Sequence, residues 1–124
     1  MTQPAICIDQ KKHRIRIYKQ TLHMLGDPKY IQILVNPDDL ILVIKCACHK
    51  DMMIHRVVNL KNDTKQCYEL YSRYLINALC KLCPFWEQND LYKSFGEVIV
   101  SEGIARFDLN LAFRHLAQED GSSE

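Results

Sequence analysis

Between Lys12 and Lys19 the chain places four cations, Lys12, Arg14, Arg16 and Lys19, around Tyr18. Alternate residues of an extended chain share a face, so Lys12, Arg14, Arg16 and Tyr18 would point one way while Ile15 and Ile17 point the other. Such a row can track a phosphate backbone, and on duplex DNA each phosphate neutralised steepens the logarithmic salt dependence of binding by about 0.9. The competing account is a solvated strand edge whose Lys and Arg residues guard against aggregation. Lys12, Arg14, Arg16, Tyr18 and Lys19 are the candidate DNA contacts, provided that the charged groups turn outward together.

Six cysteines suggest metal or redox chemistry. Cys46-Ala47-Cys48-His49 and Cys80-Lys81-Leu82-Cys83 hold enough soft ligands for zinc, but alternate strand residues sit about 6.7 Å apart, too far for Cys46 and Cys48 to share an ion unless the strand ends between them. Burial as small apolar side chains is the simpler account, and whether Cys46, Cys48, Cys80 and Cys83 ever hold metal stays open. Cys80 and Cys83 fall near a helix C-terminus, where the dipole raises a thiol pKa and lowers its reactivity. A disulfide framework is not expected without a secretion signal. No metal or other cofactor is expected.

Catalytic patterns are not legible. The four glycines form no phosphate-cradling loop, Asp38-Asp39 reads as turn chemistry, and His23 and His55 read as structural. A non-enzymatic protein is expected.

The basic row needs a strand, and Lys12 to Lys19 alternates as one. Gln20 to Leu25 can form a helical turn capped by Gly26 and stopped by Pro28. Tyr30 to Val35 reads as a strand, Asn36-Pro37-Asp38-Asp39 as a type I turn, and Leu40 to Ile44 as a strand apolar on both faces. Met53 to Leu60 is a further strand. From Asn62-Asp63-Thr64 onward, Cys67, Leu70, Tyr71, Tyr74, Leu75, Ala78, Leu79 and Leu82 recur at helical spacing, which predicts one long helix from Thr64 to Cys83, ended by Pro84. Phe95 to Val100 and Ile104 to Leu109 form a hairpin about Ser101-Glu102-Gly103, Asn110 to Ala117 a short helix, and residues 118–124 a flexible tail.

At 124 residues the chain suits one domain able to bury well over half of its unfolded surface. Charge is unevenly spread. Residues 1–61 carry ten Lys/Arg against five Asp/Glu, and residues 62–124 six against ten, so the positive field of the first half could attract phosphates or an acidic protein surface. No targeting segment is visible and the longest apolar run is far too short for a bilayer, so a cytoplasmic protein without a membrane role is expected.

Arg14 to Cys46, with a basic strand, a short helix, Leu25-Gly26, a strand, a turn and a strand, resembles the swapped-hairpin family of AbrB-like regulators and MazE-like antitoxins. Arg14 falls at a basic position of that pattern and Lys19 at the position of its lysine. Tyr18 stands in place of the usual proline, Leu22 in place of an arginine, and Pro28-Lys29 gives a shorter connection to the second strand. The resemblance covers about a quarter of the chain and implies a homodimer of interlocked hairpins gripping DNA. The order of elements also resembles one half of a TATA-binding-protein-like fold, whose sheet could close within one chain.

The sequence thus predicts an α+β domain over residues 1–117, mainly antiparallel sheet with one long amphipathic helix packed on one face. A hairpin module (14–46) precedes the helix and second hairpin (62–117), and an intertwined-hairpin dimer follows from the resemblance. The expected function is that of a small DNA-binding transcriptional regulator or antitoxin-like protein. The alternative is a protein-interaction or scaffold domain docking through its acidic half or through Leu91-Tyr92 near Trp86; a structural zinc protein is the third reading.

Overall fold

The computed structural model describes residues 3–48, 54–57 and 66–115. Strands β1 (Ala5–Asp9) and β2 (Arg14–Tyr18) are followed by helix α1 (Lys19–Met24) and by β3 (Tyr30–Asn36), β4 (Ile41–Ala47) and β5 (Ile54–Arg56). Then come β6 (Cys67–Tyr71), α2 (Arg73–Leu82), β7 (Leu91–Ile99), β8 (Ile104–Asp108) and β9 (Phe113–His115). Every strand pairing is antiparallel, and the order β5-β3-β4-β8-β7-β1-β2-β6, with β9 also on β7, curls into a half-barrel.

Alternation assigns the two faces. Ile6, Ile8, Ile15, Ile17, Ile31, Leu42, Ile44, Ala105 and Phe107 form the inner core, closed by Ile76 and Leu79 of α2. Trp86 and Tyr92 join this core, their rings stacked at 4.8 Å, and the Tyr92 hydroxyl accepts the Glu87 amide at 2.7 Å. Leu91-Tyr92 beside Trp86 therefore offers little docking surface, since Tyr92 is a core residue.

At Gly96, β7 passes from pairing β1 to pairing β8. A Cβ at Gly96 would stand 2.2 Å from the Arg106 carbonyl oxygen and 2.5 Å from the Phe107 ring, so the ring of Phe107 occupies the space that a side chain would need.

One long helix does not form. Residues 67–71, expected inside a helix from Thr64 to Cys83, are the strand β6, and the helix is the ten-residue α2. Its N-cap is Ser72, whose hydroxyl accepts the Leu75 amide at 3.1 Å, rather than the Asn62-Asp63-Thr64 group, which lies outside the described residues. Cys-Tyr-Glu-Leu-Tyr suits either period, and pairing with β2 decides for the strand because it buries Leu70 against the core and gives Arg14 and Arg16 a carboxylate neighbour in Glu69. The buried face of α2 centres on Ile76 and Leu79, with Leu75 and Leu82 only half-buried. The expected helix over 110–117 is a 3-10 turn (Leu109–Leu111) followed by β9, with residues beyond 115 outside the description. Half of the strand expected over 53–60 also lies outside it, and β5 falls in the described half.

β1 is a strand in a segment for which the sequence suggested no element. It lies between β2 and β7, and all five of its residues are buried. Its first residue is tied to α1, because the Thr21 hydroxyl accepts the Ala5 amide at 2.8 Å and donates to the Ala5 carbonyl at 3.0 Å.

Candidate nucleic-acid interface

The outer face of β9-β7-β1-β2-β6 carries the charged and aromatic side chains. Cross-strand register sets them in rows: Tyr71, Arg14, Asp9, Leu91 and His115, then Glu69, Arg16, Cys7, Lys93 and Phe113. At the next level lie Cys67 and Tyr18, with Ala5 and Phe95 beside them.

In the first row Arg14 is enclosed. Its Nε donates to Asp9 at 3.0 Å, and one terminal nitrogen donates to Glu69 at 3.0 Å and to the Tyr71 hydroxyl at 3.2 Å. Only 12% of its side chain is exposed. Burial works against the charge, but the hydrogen bonds to Tyr71 and Asp9 and the charges of Glu69 and Asp9 outweigh it, so the Arg14 pKa lies above its ordinary value. Arg16 lies 3.7 Å from the same Glu69, and its buried Nε has no hydrogen-bond acceptor.

Lys12 is not in the strand. It occupies the β1-β2 turn with an exposed side chain, and its backbone amide donates to Asp9 at 3.1 Å. Lys19 opens α1, half-buried, its amide bonded to the Gln66 carbonyl at 2.7 Å. Of the five expected contacts, β2 brings Arg14, Arg16 and Tyr18 onto one face, but the two guanidiniums are held in intramolecular ion pairs.

The aromatic end is built differently. The Lys93 ammonium lies 4.8 Å from the Tyr18 ring centroid and 5.1 Å from that of Phe95, and Phe95 stacks on Phe113 at 5.8 Å with 27° between planes. Phe95 and Phe113 are each 44% exposed. Among the described residues no carboxylate forms an ion pair with Lys93. Each cation–π contact contributes about 0.5–1 kcal/mol at an exposed site, enough to hold the ammonium in place without cancelling its charge.

Beneath this face Cys7 is almost fully buried, and its cross-strand neighbours are Arg16 and Lys93. Desolvation pushes its thiol up to about 12, although both cations pull the other way. Burial also raises Cys46, Cys67 and Cys80, and Cys83 reaches about 11. The Cys46 thiol contacts the Leu25 carbonyl at 3.6 Å and the Cys80 thiol the Gln10 amide oxygen at 3.1 Å. Among the described residues no three His, Cys, Asp or Glu side chains are grouped to hold a metal ion. His23 pairs with Asp27 at 3.2 Å on the surface.

Sequence reading missed Lys93, Phe95 and Phe113, and the carboxylates Asp9 and Glu69 that neutralise the arginines. The alternation Leu91-x-Lys93-x-Phe95 was an available signal, masked by starting that strand at Phe95. The chain matches no protein-family profile, no curated protein and no solved structure. No helix among the described residues is long and apolar enough to cross a membrane.

Proposed function

We propose that this chain is a non-enzymatic nucleic-acid-binding domain whose contact surface is the aromatic end of the outer sheet face. One observation carries the reading: Lys93 is a cation with no described carboxylate partner, set between the rings of Tyr18 and Phe95 beside exposed Phe113. A cation next to aromatic rings meets the two needs of a nucleic-acid surface, attraction to phosphate and a face for bases. The centre of contact thereby moves from Arg14 and Arg16 to Tyr18 and Lys93.

The test is fluorescence anisotropy of labelled oligonucleotides, single-stranded and duplex, titrated with the full chain at two salt concentrations. Binding that weakens as salt rises and is lost in Lys93→Glu supports the reading; no binding of either oligonucleotide at low salt overturns it. A protein-docking reading is favoured by the two half-exposed phenylalanines, which would suit an apolar partner surface. It differs in responding little to salt.

A further inference from the structure

We infer that the nucleic acid this face takes is single-stranded, its bases stacking on Phe95 and Phe113 and a backbone phosphate meeting Lys93. The inference rests on the nucleic-acid reading above and narrows it by three arguments.

The first is width. Five adjacent strands spaced about 4.8 Å apart span about 19 Å between the outermost two, whereas the major groove of a duplex is about 12 Å wide. The face cannot enter the groove, so the rings of Tyr18, Phe95 and Phe113 cannot reach paired bases there.

The second is what an exposed ring can contact. In a duplex the flat faces of the bases are already covered by their neighbours, and only an unpaired strand can present them to a side chain. Phe95 and Phe113 leave 44% of their surface open while leaning on each other at 27°, and Lys93 ties Tyr18 into the same group. A sheet displaying aromatic rings with a cation among them has the chemistry to bind bases and phosphate of one strand.

The third is charge. A duplex binder relies on many phosphate contacts, six to ten being typical of strong ones, but here Asp9 and Glu69 hold Arg14, and Glu69 also faces Arg16. What remains at the aromatic end suits one or two phosphates, which predicts a shallow salt slope of about −0.7 to −1.4 on a single strand.

The experiment titrates the full chain with labelled oligothymidylate, oligouridylate and a mixed-sequence duplex of equal length, using wild type, Phe95→Ala and Phe113→Ala. Both single strands are expected to bind more tightly than the duplex, and each variant to weaken single-strand binding about 5- to 150-fold, the range set by one base–ring stack. Retained thermal unfolding of the variants shows that the fold is intact, as expected for half-exposed rings. Duplex binding as tight as or tighter than single-strand binding overturns this inference but leaves the nucleic-acid reading standing. Single-strand binding unaffected by both variants likewise overturns it, placing the contact elsewhere. If neither nucleic acid binds, both readings fail. The thymidylate and uridylate arms separate DNA from RNA as the source of the strand.

Discussion

Replacing Gly96 by alanine tests whether the curl of the sheet is set where β7 changes partners. The added methyl would lie 2.2 Å from the Arg106 carbonyl oxygen, 2.5 Å from Phe107 Cδ2 and 2.8 Å from Cε2. Relief requires both the fully buried Phe107 ring and the β8 backbone to move, and neither is the free end of a flexible side chain. Overpacking of a core costs about 1–3 kcal/mol, and a collision with backbone belongs at the top of that range, so about 3 kcal/mol is expected. An unfolding entropy of about 2.1 cal/mol/K per residue converts this to a fall in Tm of about 12 °C. In urea, with a slope of about 1.5–2 kcal/mol/M, the midpoint should fall by about 1.5–2 M. Gly96 also follows Phe95 directly, so this variant should lose single-strand affinity as well as stability. A Gly96→Ala protein within 0.5 kcal/mol of wild type would refute the account of the curl.

Glu69→Gln should release the restraint on Arg14 and Arg16: the logarithmic salt slope for oligonucleotide binding steepens by about 0.7 per freed cation, while stability falls by about 1–3 kcal/mol, and an unchanged slope counts against the neutralisation argument. Thr21→Val removes both hydrogen bonds to Ala5 and leaves a buried amide without its partner, so urea unfolding should report a loss of about 1–3 kcal/mol. The Cys7 thiol is raised to about 12 in the folded chain from an ordinary 9, so the unfolded chain gives up this proton first as pH rises. Its contribution is therefore whole below about pH 9 and lost between 9 and 12, at about 1.4 kcal/mol per pH unit, which urea midpoints across that range should record. Thiol labelling at pH 8 should modify exposed Cys48 well before buried Cys7 and Cys83.

Local patterns were the legible part of this fold. Ile15 and Ile17 alternate with longer polar residues, and β2 follows that period. Asn36 bonds back to the amides of Asp38 and Asp39 as its side-chain chemistry suggests, at 2.9 and 3.2 Å. Gly26 closes the short helix at φ +91°, a backbone angle that a Cβ disfavours. Failures came where tertiary pairing overruled a local period. Cys67, Leu70 and Tyr71 fit helical spacing, yet β2 needed a neighbour with a carboxylate and drew residues 67–71 into the sheet. In β1 the residues that alternate with Ile6 and Ile8, Cys7 and Asp9, are buried as well. Their burial depends on cross-strand neighbours Arg14, Arg16 and Lys93, contributed by residues far along the chain as well as near.

The interior position of β2 explains why the expected basic row and the proposed site differ. β2 lies between β1 and β6, so an arginine on it is flanked by other side chains rather than water, and its guanidinium must find acceptors to offset lost hydration. Asp9 on one neighbour and Glu69 on the other supply them, and beyond a Debye length of about 8 Å such a pair projects almost no field. Lys93 on β7 is flanked too, but its neighbours at the aromatic end are rings, which stabilise an ammonium through their negative faces without opposing its charge. Sequence spacing pointed to Arg14 and not to Lys93. Cross-strand neighbours separate them, leaving the lysine able to attract a phosphate and the arginine committed to holding β1, β2 and β6 together.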